Sequence, residues 1–157
     1  MGYTNYWSPK KLSDDQIPDG FWDDSIAVLD AVLRKGIRLG DGVGENEYKS
    51  GKEIVNATTM TDHEYPSIVF NGLAELQEDY ETFALTFDGV WNFCKTAHEP
   101  YDVAVKCILI LAKEYNLLEN NKDLGEGDFS WDGDEDDPEY IEAMEIINAY
   151  KISKNNS

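Results

Sequence analysis

The chain opens on a two-residue alternation. In YTNYW, residues 3–7, Tyr3, Asn5 and Trp7 fall on one face of a strand, and Thr4 and Tyr6 on the other. Pro9 ends that strand. Ser13-Asp14-Asp15-Gln16 has the form of a capping box, but Pro18 and Gly20 interrupt it. The pattern then takes a helical period and predicts a helix over 19–35, with Trp22, Ile26, Leu29, Val32 and Leu33 as its apolar stripe. Asp23 and Asp24 favour the positive end of its dipole, Arg34 and Lys35 the other end, and Gly36 closes it.

Short strands follow. Residues 37–39 read as one strand, and 40–52 as a polar, glycine-rich loop. EIVNATTM, 53–60, and PSIVFNG, 66–72, read as two more, separated by a turn around Asp62-His63-Glu64. In ETFALTF, 81–87, Phe83, Leu85 and Phe87 alternate with Thr82, Ala84 and Thr86. Asp88-Gly89 then predicts a hairpin with VWNF, 90–93, as the returning strand.

A second helix opens at Pro100, whose missing N–H costs nothing at a first helical position. Its body, VAVKCILILAKEY, 103–115, is apolar nearly all round, which predicts a central core helix. A loop over 120–127, a strand over 128–131 and a turn at Asp132-Gly133 lead to a third helix. That helix is predicted over 137–151, with Ile141, Met144 and Ile147 facing in and a frayed tail from about residue 152. The order predicts an α+β fold for residues 1–157 as a single domain: an antiparallel sheet with about three helices packed mainly on one face.

Composition supports a real core, since 41 % of the 157 residues are hydrophobic. No apolar run reaches the roughly 20 residues that span a bilayer, and the N-terminus has no signal-peptide pattern. Position 6 is Tyr6, so Gly2 does not begin a myristoylation motif. Two cysteines, Cys94 and Cys107, are too few for a disulfide scaffold and fit a reducing cytoplasm. The expected localisation is the cytoplasm.

Charge changes the picture more. Thirty-two acids against 13 bases give a net charge of −19. A chain of that charge lacks the Lys/Arg surface that nucleic acid requires. It fits high solubility, docking on a basic partner, or a halophile-like surface. Two stretches concentrate the acids: six with no base between 14 and 30, and 12 with only Lys122 between 119 and 145. Such a density can imitate a phosphate array, or simply form solvated helix faces.

Three motifs bear on chemistry. GDGVG, 40–44, resembles a phosphate-cradling loop but is followed by polar loop rather than a helix, so an irregular loop is the better reading. Asp128, Ser130, Asp132, Gly133, Asp136 and Glu139 have calcium-loop spacing. However, Gly125 and Gly127 oppose an incoming helix, Glu135 occupies the apolar position, and Pro138 falls late, which favours a strand–turn–helix. Cys94 and His98 are four apart, yet zinc needs three or four ligands and only Cys107 and His63 remain to complete a set. A Cys94–His98 nucleophile pair lacks a readable oxyanion or acid partner. No metal, cofactor or catalytic residue is expected.

MGYTNYW at the start, VFNG with ETF in the middle, and FCKTAHEPYD at 93–102 together resemble a family of small phage and prophage proteins. Members open MGYTHYW, carry FNG…HETF and FCKTARKPYD, and end on a strand and an SDG turn before a last helix, which SWDGDEDDPEY approximates. The resemblance spans nearly the whole chain. Asn5 stands where the family has histidine, His98 where it has arginine, and Glu99 where it has a basic residue. Binding tolerates such changes more easily than catalysis does, so the resemblance implies a phage accessory protein that binds rather than an enzyme.

The residues matching those motifs are largely polar and aromatic. Tyr3, Trp7, Asn71, Lys95, Thr96, Tyr101 and Asp102 are the candidate ligand-binding set, with Glu81 and Asp132 also matching. Strand ends and a helix N-terminus can bring them to one pocket suited to a nucleotide-like small molecule. A buried hydrogen-bond network that fixes the fold is the competing reading. The expected function is therefore sequestration of a nucleotide-type host-defence signal. The alternative is a DNA-mimic-like inhibitor that docks on a basic host defence or nucleic-acid-binding protein through Asp132, Asp134, Glu135, Asp136, Asp137 and Glu139.

Overall fold

The alternation at the start of the chain becomes β1, Thr4–Trp7. In the computed structural model, which describes residues 3–43, 46–58, 65–120 and 127–156, Tyr3, Asn5 and Trp7 all turn inward and are buried. Two antiparallel neighbours flank β1. On one side is β6, Asn92–Lys95, with Asn5 opposite Cys94 and Tyr6 opposite Phe93. On the other is β7, Ser130–Trp131, with Asn5 opposite Trp131. This sheet therefore has an inward face of Asn5, Trp7, Cys94 and Trp131, and an outward face carrying Tyr6 and Phe93.

Helix α1, Asp19–Arg34, forms where the helical period begins. Its buried face is Phe21, Asp24, Ser25, Val28, Leu29 and Val32, so the expected stripe is rotated: Trp22, Ile26 and Leu33 lie only partly buried along its edge. The inward turn of Asp24 has a consequence. Its carboxylate accepts hydrogen bonds from Tyr115 (2.5 Å), Tyr150 (2.5 Å) and Lys154 (2.9 Å), tying α1 to two later helices. Burial alone would raise its pKa, but those three donors outweigh it and hold the carboxyl below its ordinary value.

Residues 53–58 are helical, not extended. Helix α2 spans Gly51–Thr58 and buries Ile54, Val55 and Thr58. The hydroxyl of Ser50 accepts the Glu53 N–H at 3.1 Å, and Glu53 accepts the Lys49 N–H at 3.2 Å. This is the chemistry of a helix N-terminus. Gly51 rests against the Ile26 carbonyl, where a Cβ would collide, so α2 packs backbone-close on α1. The turn expected at 62–64 lies outside the described residues.

Strands β2, Leu39–Gly40, and β3, Glu47–Tyr48, form a two-stranded ladder, with β2 starting two residues later than expected. A second ladder joins β4, Ser67–Phe70, to β5, Phe83–Thr86, with the predicted inward set of Phe83, Leu85 and Phe87. The hairpin expected after β5 does not form. Asp88 accepts the Val90 N–H at 3.0 Å, and Gly89 takes φ +78, which sends the chain away from β5 to pair as β6 with β1.

Helix α3, Asp102–Glu114, is the central core helix, with every residue from Asp102 to Ala112 buried. Helix α4, Pro138–Asn155, packs against it and continues beyond the expected start of a frayed tail. Its inward residues are Ala143, Ile146 and Ile147. Ile141 is exposed and Met144 is half-buried, because the small Ala143 is what lets α4 approach α3, close enough for the Cys107 thiol to reach the Ala143 carbonyl at 3.8 Å. The described residues thus form an α+β fold with four α-helices, and the expected single sheet is divided into three small antiparallel ones.

Candidate functional site

Asp102 and Lys106 are one helical turn apart on α3 and both completely buried. The Lys106 ammonium donates to Asp102 Oδ2 at 2.5 Å and to Asn5 Oδ1 at 3.0 Å. Asn5 returns a hydrogen bond from Nδ2 to Asp102 Oδ1 at 2.7 Å, and the Thr96 hydroxyl donates to the same oxygen at 2.7 Å. Every polar atom of this cluster has a partner, which is what makes burying two charges tolerable. Burial pushes the Lys106 pKa below its ordinary range, against the pull of the Asp102 carboxylate.

Aromatic rings close the cluster. The ammonium lies 4.5 Å from the Tyr3 ring centroid and 5.3 Å from that of Trp131. The Tyr3 hydroxyl donates to Asp137 Oδ2 at 2.8 Å, and the Trp131 indole N–H reaches the same oxygen at 3.2 Å. His98 stacks on Tyr3 with centroids 3.6 Å apart and pairs through Nδ1 with Glu139 at 2.8 Å. Five segments meet here: β1, the turn after β6, the start of α3, β7 and the start of α4. The turn holds Ala97 and His98 both at positive φ, 53 and 61, closed by a Glu99 N–H to Thr96 carbonyl bond of 2.9 Å.

The candidate residues separate into distinct surroundings. Tyr3, Thr96 and Asp102 belong to the cluster. Trp7 packs against Phe83 in the hydrophobic core, with centroids 5.2 Å apart. Tyr101 is also fully buried, and its hydroxyl donates to the Glu81 carbonyl at 2.5 Å. Asn71 clamps the 72–82 loop by donating to the Tyr80 carbonyl and the Thr82 hydroxyl and accepting from the Gly72 and Tyr80 N–H groups. Lys95 is exposed on the outward face of the sheet. Asn71 also lines a cavity of about 200 Å³ beside Gly40, with Asp41, Glu47, Glu75 and Asp79 in its walls. That lining repels phosphate. Arg38 fixes Glu47 by a two-point contact of 2.5 and 2.6 Å, holding its pKa down to about 2.

The acids of the final turn also divide. Asp132 accepts the Tyr6 hydroxyl at 2.8 Å and the Thr4 N–H at 3.0 Å, while Asp137 and Glu139 serve the rim of the cluster. Asp134, Glu135 and Asp136 are exposed. The spacing that resembles a calcium loop thus sends Asp128, Asp132 and Glu139 to separate protein partners, Lys113, Tyr6 and His98, and leaves Asp136 in solvent. Both cysteines are packed: burial pushes Cys94 up to about 12 and raises Cys107 as well, so neither carries a thiolate at neutral pH.

Lys106, Trp131 and the exposed aromatics of the outward face were not among the candidates. The first has a readable signal, a lysine inside an otherwise apolar run, four residues after an aspartate. By fold and site, this is an α+β protein with a closed, charge-paired polar cluster behind its three-stranded sheet and an open aromatic surface in front of it. No family model, curated protein or solved structure matches the chain.

Proposed function

We propose that this protein acts by binding a basic macromolecular partner, as an acidic, nucleic-acid-mimicking accessory protein of a phage or prophage directed at a host defence or nucleic-acid-binding protein. The observation that carries this reading is the pinned acidic turn. Asp132, Asp137 and Glu139 are tied to Tyr6, Tyr3 and His98, which fixes the loop and leaves Asp134, Glu135 and Asp136 facing solvent. A rigid array of carboxylates on a chain of charge −19 steers toward cationic surfaces and discriminates against anionic ones.

Sequestration of a nucleotide-type signal is the weaker reading. It needs Trp7, Thr96, Tyr101 and Asp102 to face a ligand, and all four have no exposed surface. A pull-down from host lysate tests the preferred reading. A basic protein retained at low salt, released at moderate salt and lost with a D134N/E135Q/D136N variant supports it. Retention that is indifferent to both salt and that variant overturns it. The described residues include no helix long and apolar enough to cross a membrane.

A further inference from the structure

The outward face of the three-stranded sheet carries an aromatic strip with no role in the core. Trp91 is 50 % exposed, Phe93 42 % and Val90 61 %. Tyr6 and Trp91 stack with centroids 6.3 Å apart and planes 20° apart, and Phe93 lies 5.5 Å from Trp91 and directly opposite Tyr6 in register. The strip is held in place. The Tyr6 hydroxyl is anchored to Asp132, and the turn before Trp91 is fixed by the Asp88 side chain. Rigid, exposed aromatic rings of this kind are what interface hot spots are made of.

Charge decides the occupant. A second copy of this chain would bring another −19 to the same face. Nucleic acid and anionic lipid surfaces are repelled for the same reason, and this face offers them Lys95 rather than a basic patch. A cationic protein surface remains, and the rings choose between its two cations. Arginine lays a planar guanidinium on Trp91 or Phe93 while its N–H fork reaches a carboxylate such as Asp132 or Asp88. Lysine is a compact, strongly hydrated point charge that does this less well.

We propose that the Tyr6–Trp91–Phe93 strip is the anchoring site for an arginine-bearing surface of the partner. This rests on the docking reading above and adds to it a site and a side-chain chemistry. The acidic turn attracts the partner, and the strip sets how tightly and how selectively it is held.

The test uses nona-arginine and nona-lysine peptides as probes, with the indole N–H resonances of the tryptophans followed by NMR and Trp91 assigned through Trp91→Phe. The Trp91 indole shifts on titration with nona-arginine, which binds about fivefold or more tighter than nona-lysine. Trp91→Ala abolishes the preference between the peptides, and Trp91→Ala with Phe93→Ala weakens nona-arginine about tenfold without altering the melting temperature. The D134N/E135Q/D136N variant weakens both peptides alike. Equal affinity for the two peptides, or unchanged nona-arginine binding by Trp91→Ala, overturns the strip while leaving the acidic docking reading intact. A Trp91 shift that follows protein concentration without peptide also overturns it, by making a second copy the occupant. Failure of both peptides to bind at low salt overturns the docking reading itself.

Discussion

The two faces of the β6–β1–β7 sheet are built from adjacent residues and have opposite fates. Asn5 points inward and uses both ends of its amide, one on Asp102 and one on Lys106. Tyr6, the next residue, points outward and stacks with Trp91 at the surface. Inward, the Asn5, Thr96, Asp102 and Lys106 side chains are buried and hydrogen-bonded to one another. Outward, apolar rings remain exposed and only the Tyr6 hydroxyl is committed. Of the candidate residues, Tyr3, Thr96 and Asp102 gather at the inward side and its rim, where they hold the fold together. The outward side is where recognition has room to act.

The largest expected effect tests the inward side. Lys106→Met leaves the Asp102 carboxylate buried without its cation, and such a loss costs about 3–5 kcal/mol. Urea unfolding with an unchanged m-value measures it. The double variant Asp102→Leu with Lys106→Met removes both charges and recovers only the part of the loss that comes from the uncompensated charge, because the buried Asn5 amide and Thr96 hydroxyl are left without their partners. A loss below about 1 kcal/mol for Lys106→Met alone would mean that water reaches the ammonium, and the contrast between a closed and an open face would fail.

How far the sequence leads is clearest at particular residues. The strand at 4–7, helix α1, the buried helix α3 and the Asp137-Pro138 helix start are legible because each has a strong local signal: alternation, caps or an apolar run. Helix α2 is misread because Ile54 and Val55 favour strands, while the Ser50–Glu53 capping pair that decides the matter is local and easily overlooked. The pairing of β6 with β1 is not legible at all. Asp88-Gly89 is a good turn in either topology, and the choice is made by which partner lies alongside, 85 to 91 residues away. For the site, the structure separates Trp7, Asn71, Lys95 and Tyr101 from one another and brings Tyr3, Thr96 and Asp102 together. Whether they face a ligand or one another depends on Lys106, which arrives from the same helix to fill the space between them. The exposure of Trp91 follows from that same long-range pairing.

A second carboxylate hub, at the opposite end of α3, sharpens the comparison. Asp24 is nearly as buried as Asp102, but two of its three donors are neutral phenols and its cation, Lys154, is half exposed. Asp24→Asn therefore costs less, about 1–3 kcal/mol. Because its folded pKa lies below the ordinary 3.8, folding favours the ionised form. Its stabilisation is complete above that value and is lost as pH falls through the folded pKa. Acid titration of stability in the wild type and Asp24→Asn checks this: the variant lacks that part of the acid-dependent loss. Parallel curves would show that the tyrosines do not depend on the charge. Smaller again is Ala97→Gly. The left-handed conformation costs an ordinary residue about 1–2 kcal/mol, of which the added freedom of glycine in the unfolded chain returns about 0.4–1. Glycine thus stabilises by about 0.5–1 kcal/mol, visible as a rise in thermal midpoint.

The smallest effect on stability belongs to the outward face and is the most informative about function. Trp91 lies outside the strand, half exposed, and its ring packs on Tyr6 and Phe93 rather than on the core. Trp91→Ala should therefore stay within about 0.5 kcal/mol of wild type in urea unfolding. Natural chains bury aromatic surface of this size wherever the fold permits, because each ring is worth a few kcal/mol when covered. Here the fold could not cover it. The inward side of the sheet is already filled by the Asp102–Lys106 cluster, and β6 pairs with β1 in a register that places Phe93 opposite Tyr6 on the solvent side. A neutral Trp91→Ala in stability, set against a loss of the preference for nona-arginine, identifies the ring as one kept for an external contact. A loss of 2 kcal/mol or more, on the order of a buried side chain, would instead make the strip part of the fold and erase the distinction between the two faces.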